Sequence, residues 1–136
     1  MDSKQKSRVA LLKVQLRAVE RGVMTSVPTS DDCRYDLILD EGGVLRRAQV
    51  KWAGMSPTRS SNAVQLDLRK DGAGGPKKRS YTAQEIDVVL AYIPQVDRVV
   101  ALGPEHFDGK AAIIIRLGAP KNGQTTKLRL YEDYLW

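Results

Sequence analysis

The stretch RYDLILDEGGVLRRAQVKW, residues 34–52, sets the architecture. Residues 35–40 alternate apolar and polar side chains, as a half-buried strand does, and residues 44–52 alternate again. Glu41-Gly42-Gly43 lies between them, offering two glycines free to take the positive φ of a tight hairpin turn. A β-hairpin is therefore expected. On its second arm Ala48, Val50 and Trp52 share one face, and Arg47, Gln49 and Lys51 share the other.

Towards the N-terminus the period changes from two to 3.6. Residues 3–22 read as a helix capped by Ser3 and ended by Gly22. Val9, Leu12, Leu16 and Val19 make one apolar stripe; Ala10, Leu11, Val14 and Ala18 make a second on roughly the opposite side. A helix apolar on two faces packs twice, so part of it is expected against another subunit. Residues 23–27 form a short strand candidate ending at Pro28, followed by the polar run 29–33.

Towards the C-terminus, 53–62 reads as a polar loop, 63–68 as a strand and 69–80 as a Gly-rich basic loop. Thr82-Ala83-Gln84-Glu85 has the spacing of a capping-box turn. Residues 88–93, 98–102, 111–117 and 126–130 are apolar or β-branched runs of strand length, punctuated by Pro94, Gly103-Pro104 and Asn122-Gly123. Residues 131–136 read as a short helical tail. The expected fold is α/β, a mixed central β-sheet with the N-terminal helix packed on it, in one domain over residues 1–136. A chain of this length buries roughly two-thirds of its unfolded surface and folds without staples.

Composition removes several classes of function. A single Cys33 makes no intrachain disulfide, and with a single His106 there is no zinc site of the Cys/His type and no supported serine or cysteine triad. His106 falls in the polar stretch 103–109, read as a surface loop. Gly72-Ala73-Gly74-Gly75 runs into Pro76-Lys77-Lys78 rather than a helix, so it is no phosphate-binding glycine loop. No secretory leader pattern opens the chain and no apolar run approaches the roughly 20 residues of a membrane span, so a cytoplasmic protein with no membrane partner is expected.

The net charge is +6, unevenly spread. Residues 23–43 carry Arg34 against five acids, between a basic helix and the strongly basic stretch 44–80. An acidic segment between basic ones suits a metal site beside a polyanion, and nucleic acid is the expected partner.

One constellation carries chemistry. Gln49 and Lys51 share a strand face, and Asp36 on the neighbouring arm can reach the same spot. Asp is depleted in strands, so Asp36 calls for a partner. Spacing alone leaves two readings open. Asp36 pairs with Lys51 across a solvated sheet face, or it holds a hard cation, Mg²⁺ or Mn²⁺, with the Gln49 amide oxygen and the Val50 carbonyl. In the second case Lys51 stands beside the attacking water.

Arg34-Tyr35-Asp36-Leu37-Ile38, followed by Ala48-Gln49-Val50-Lys51, resembles the PD-(D/E)XK nuclease motif on its hairpin. It is similar in particular to the group I intron-encoded homing endonucleases of that superfamily, where glutamine stands at the position of Asp or Glu. Residues 22–28, Tyr81-Thr82-Ala83-Gln84-Glu85-Ile86-Asp87 with Tyr92 and Pro94, Arg116-Leu117 and Tyr131-Glu132-Asp133-Tyr134 extend the likeness over nearly the whole chain. The resemblance implies a restriction-endonuclease-like core, metal-dependent hydrolysis of DNA phosphodiesters and homo-oligomers, dimeric or tetrameric. It makes Asp36 the metal carboxylate, Gln49 a variant ligand and Lys51 the catalytic lysine. Tyr35 replaces the motif's proline. The helix-1 glutamate of many relatives is not found near Leu11 or Leu12, so Glu20, the acid in the body of that helix, takes a supporting metal role. Arg46, Arg47, Arg59, Arg69, Lys70, Lys77, Lys78 and Arg79 are the candidate DNA contacts. The alternatives are a restriction enzyme, a Holliday junction resolvase, or a non-catalytic DNA-binding module on a degraded nuclease scaffold.

Overall fold

The computed structural model describes residues 1–55, 62–71, 77–118 and 128–136. Helix α1 (Ser3–Glu20) is capped by Asp2 rather than Ser3. The Asp2 carboxylate accepts from the Gln5 N–H at 2.8 Å while the Gln5 side chain accepts from the Asp2 N–H at 2.9 Å, a reciprocal box that a serine one residue later could not close. Gly22, at φ 73°, turns the chain out of the helix as expected. Of the two apolar stripes only one is buried: Ala10, Val14 and Ala18 lie against the sheet, whereas Leu12, Leu16 and Val19 are exposed. Small residues win because they let the helix sit close on the strands.

The strands β1 (Met24–Ser26), β2 (Leu37–Glu41) and β3 (Val44–Trp52) follow. The hairpin forms as read, with Gly42 and Gly43 at φ 59° and 89° closing a two-residue turn between Glu41 and Val44. Next come β4 (Gly54–Met55), inside the stretch read as loop, and β5 (Ala63–Asp67). The segment read as a Gly-rich loop is a second hairpin at its ends: β6 (Arg69–Asp71) pairs with β7 (Lys78–Ser80). Its strands are polar and short, so periodicity gave no sign of them. Then come β8 (Val88–Ile93) and β9 (Arg98–Leu102), both as expected. Helix α2 (Pro104–Phe107) occupies the stretch read as loop; Pro104 at its start and Phe107, fully buried, explain the extra turn. Strand β10 (Ala112–Arg116) and a 3₁₀ turn, Tyr131–Tyr134, complete the described elements. Of the strand expected at 126–130, the described residues 128–130 form only an isolated parallel bridge, Leu130 to Arg116.

The central sheet has the order β1-β2-β3-β8-β9. It is mixed: β3 and β8 run parallel and the other neighbours antiparallel. All six residues of β8 are buried, because both its faces are covered. Val88, Leu90 and Tyr92 join Ala48, Val50 and α1; Val89, Ala91 and Ile93 join a second cluster with β5, β10 and Phe107. The α/β class and the packed N-terminal helix thus hold. Among the described residues no helix is long and apolar enough to cross a membrane.

Candidate active site

Asp36 stands immediately before β2, not within it, yet its N–H still donates to the Ala48 carbonyl at 2.8 Å and fixes it against β3. The Asp36 Oδ2 atom accepts from the Gln49 Nε2 at 2.7 Å and from the Val50 N–H at 3.0 Å. Hairpin register alone therefore brings Asp36, Gln49 and Val50 to one point. Lys51, half-buried, lays its Nζ 5.2 Å from the centre of the Tyr81 ring and donates to the Arg69 carbonyl at 3.3 Å. The same cleft, about 370 Å³ in volume, is bordered by Ser7, Arg8 and Leu11 of α1 and by Lys70.

The electrostatics follow from burial. Desolvation pushes the Asp36 carboxyl above its ordinary range, opposed by the Val50 N–H and the charges of Lys70 and Lys51. Desolvation pulls the Lys51 ammonium below its ordinary range, opposed by Asp67 and Asp36. The Tyr81 hydroxyl is pushed up by burial and then by Asp36, so it stays protonated.

Two atoms of the cleft are buried without a hydrogen-bond partner among the described residues, Gln49 Oε1 and the Tyr81 hydroxyl. Orphaned polar atoms are costly, about 1–3 kcal/mol each, and call for an explanation. At Gln49, 4% exposed, the amide nitrogen lies between Asp36 Oδ2 and the Val50 carbonyl, 3.3 Å from the latter. This N–H₂ donor satisfies two oxygens that could otherwise turn to a cation. Turning the amide over presents Oε1 instead, and that arrangement needs a cation between the three oxygens. The donor set of carboxylate, amide oxygen and backbone carbonyl is hard and suits Mg²⁺ or Mn²⁺. Among the described residues no three His, Cys, Asp or Glu side chains cluster to hold a metal by themselves.

Glu20 is not brought to this cleft. Leu11 and Glu20 lie about 14 Å apart along α1 at 1.5 Å per residue. Glu20 instead borders a separate cleft with Lys13, Tyr92 and Trp136, and its Oε1 lies 3.7 Å from Arg17. The basic candidates divide. Arg47, partly exposed, is engaged within the chain, holding both Asp87 oxygens at 3.1 Å and the Gln84 carbonyl at 2.7 Å. Lys70 enters the cleft itself, donating to the Cys33 carbonyl at 3.0 Å. Arg46 pairs with Glu41, Arg69 and Lys78 with Asp67, and Arg79 with Glu85. Lys77 is exposed, and Arg59 lies outside the described residues.

Two residues of the site went unassigned in the sequence. Arg34 donates to the carbonyls of Lys70, Arg79 and Ser80, pairs with Glu85 at 3.0 Å and stacks 4.5 Å from the Tyr81 ring centre. Its isolation as the lone base among the five acids of 23–43 was the available signal. Tyr81 itself gave none, since an aromatic beside a capping box reads as core.

Comparison with known proteins gives the family and the fold. A family model described as PD-(D/E)XK endonuclease matches residues 1–136. No curated protein matches. Among solved structures, a bacterial homing endonuclease, I-Ssp6803I, superposes with a TM-score of 0.78 at 22% identity, covering 99% of this chain and 89% of its own. At that identity the likeness is one of fold.

Proposed function

The chain belongs to the PD-(D/E)XK endonuclease family, and from that premise we propose that it hydrolyses phosphodiester bonds of double-stranded DNA, using Mg²⁺ or Mn²⁺ at Asp36, as a site-specific homing endonuclease. The supporting observation is the buried Gln49 amide, with its oxygen unpartnered and its nitrogen between two potential ligand oxygens. Asp36, Gln49 Oε1 and the Val50 carbonyl would hold the cation, which when bound polarises the phosphate and acidifies water. Lys51 orients the attacking water from beside Asp36 and offsets the charge that builds on the phosphate. Lys70, at the rim of the cleft, draws the backbone in. Arg46, Arg69, Lys77, Lys78 and Arg79, with Arg59, supply phosphate contacts outside it.

The exposed Leu12, Leu16 and Val19 support a twofold dimer, since duplex DNA presents two antiparallel strands. A sedimentation experiment that finds only monomer at micromolar concentration removes that support. Supercoiled plasmid incubated with Mg²⁺ or Mn²⁺ at low salt tests the activity. Wild-type protein should cut, and Asp36→Asn should not, while still binding DNA. Among the described residues Asp36 is the one carboxylate lining the cleft, which favours a second reading, a DNA-binding module that does not cut; wild-type binding without cleavage would establish it.

A further inference from the structure

Lys51 reaches the cleft on four rotatable bonds, and a side chain that long does not place a charge without a stop. Among the described residues its one hydrogen bond is the 3.3 Å contact to the Arg69 carbonyl, which leaves most of the ammonium unengaged. What lies against it is the face of Tyr81, fully buried, with Nζ 5.2 Å from the ring centre. The ring is itself immobile. Its backbone is hydrogen-bonded on both sides, to the Leu68 carbonyl at 3.1 Å and from the Gly109 N–H at 3.0 Å, and the Arg34 guanidinium packs on it at 4.5 Å. Arg34 is tied to three carbonyls and Glu85, so it cannot follow Lys51 or exchange with it.

We propose that Tyr81 is a positioning residue of the cleavage site: the negative face of its ring seats the Lys51 ammonium beside Asp36. A ring face is a suitable seat where a carboxylate is not. A second carboxylate here would pair with the amine and withdraw it from the phosphate, whereas the ring quadrupole attracts a cation without neutralising it or consuming its N–H donors. The hydroxyl is not part of this role, being buried and unpartnered.

The assignment rests on the nuclease reading, and two variants with one spectrum test both. In Tyr81→Phe the ring remains, and the single-turnover cleavage rate stays within about threefold of wild type. In Tyr81→Leu the seat is lost, and the rate falls by about a hundredfold, the scale of a 1 Å misplacement, while DNA affinity in Ca²⁺ changes by less than about twofold. Proton NMR of the wild-type chain reads the seat directly: the Lys51 ε-methylene signal, identified by its loss in Lys51→Arg, lies upfield through the ring current. It stays there in Tyr81→Phe and returns to its ordinary place in Tyr81→Leu. An unshifted wild-type signal, a fully active Tyr81→Leu, or a Tyr81→Phe as slow as Tyr81→Leu overturns the assignment and leaves the nuclease reading intact. Wild-type protein that cuts nothing overturns the nuclease reading, and this one with it.

Discussion

Replacing Arg34 with Met should destabilise the protein more than any other change at its partly exposed charges. The Arg34 side chain is 14% exposed and that of Glu85 18%. Methionine keeps most of the stem but deletes three charged hydrogen bonds and one ion pair. Charged hydrogen bonds contribute about 1.5–3 kcal/mol each, which puts an upper bound of about 5–9 kcal/mol on the three. Two facts reduce it. Glu85 keeps Arg79 and Thr82, so no buried carboxylate is orphaned, and the freed hairpin carbonyls lie near the surface where water can reach them. A loss of about 3 kcal/mol remains, the low end for breaking a desolvated pair, or about 10 °C in midpoint for a chain of this size. Urea unfolding followed by circular dichroism gives the number from the midpoint and slope. Arg34→Lys should recover less than half of it, because a single ammonium cannot span carbonyls on both strands of the β6–β7 hairpin. A loss under about 1 kcal/mol in Arg34→Met, or full recovery in Arg34→Lys, would show that the hairpin is held by something else.

Gln49→Glu should bind Mg²⁺ at least about tenfold more tightly, measured by calorimetry, because it places a second carboxylate beside Asp36; equal or weaker affinity would remove Gln49 from the ligand set. Its metal-free form should melt lower, since the hydrogen bond from the Gln49 N–H₂ to Asp36 is gone. Alanine at Arg59, Lys77, Lys78 and Arg79 should flatten the log–log salt dependence of DNA binding by about one unit for every phosphate left without its cation, and an unchanged slope would move the DNA surface elsewhere. Arg47→Ala, by contrast, should lower stability and leave that slope alone. Acid should destabilise the fold below about pH 4. Hydrogen bonds from Arg47 hold the Asp87 carboxyl below its ordinary 3.8, and at Glu85 burial pushes up but Arg34, Thr82 and Arg79 outweigh it, a net lowering from 4.5. A depressed carboxylate contributes stability above its unfolded pKa and loses it as pH falls through the folded value. Tryptophan fluorescence against pH should therefore show Arg47→Ala unfolding at a higher pH than wild type.

The hairpin was legible because its determinants are local. Alternation along residues 35–40 and 44–52, and two glycines where positive φ is required, specify register within one short segment, and register is what carries Asp36 to Gln49 and Val50. The Gly22 stop of α1 and the apolar runs of β8 and β9 were readable for the same reason, whereas the cap of α1 is Asp2 and not Ser3. Which stripe of α1 is buried was not, since both are apolar and only the close approach to the sheet selects Ala10, Val14 and Ala18. The parallel pairing of β3 with β8, the hairpin that brings Lys70 to the cleft of Asp36, and the stack of Arg34, Tyr81 and Lys51 all join residues far apart in the chain. No periodicity encodes such contacts; they exist only once the layers have packed. Glu20 shows the converse. A helix rise of 1.5 Å per residue fixes how far it lies from Leu11, but only the packing of α1 across the sheet shows which end of that helix borders the site.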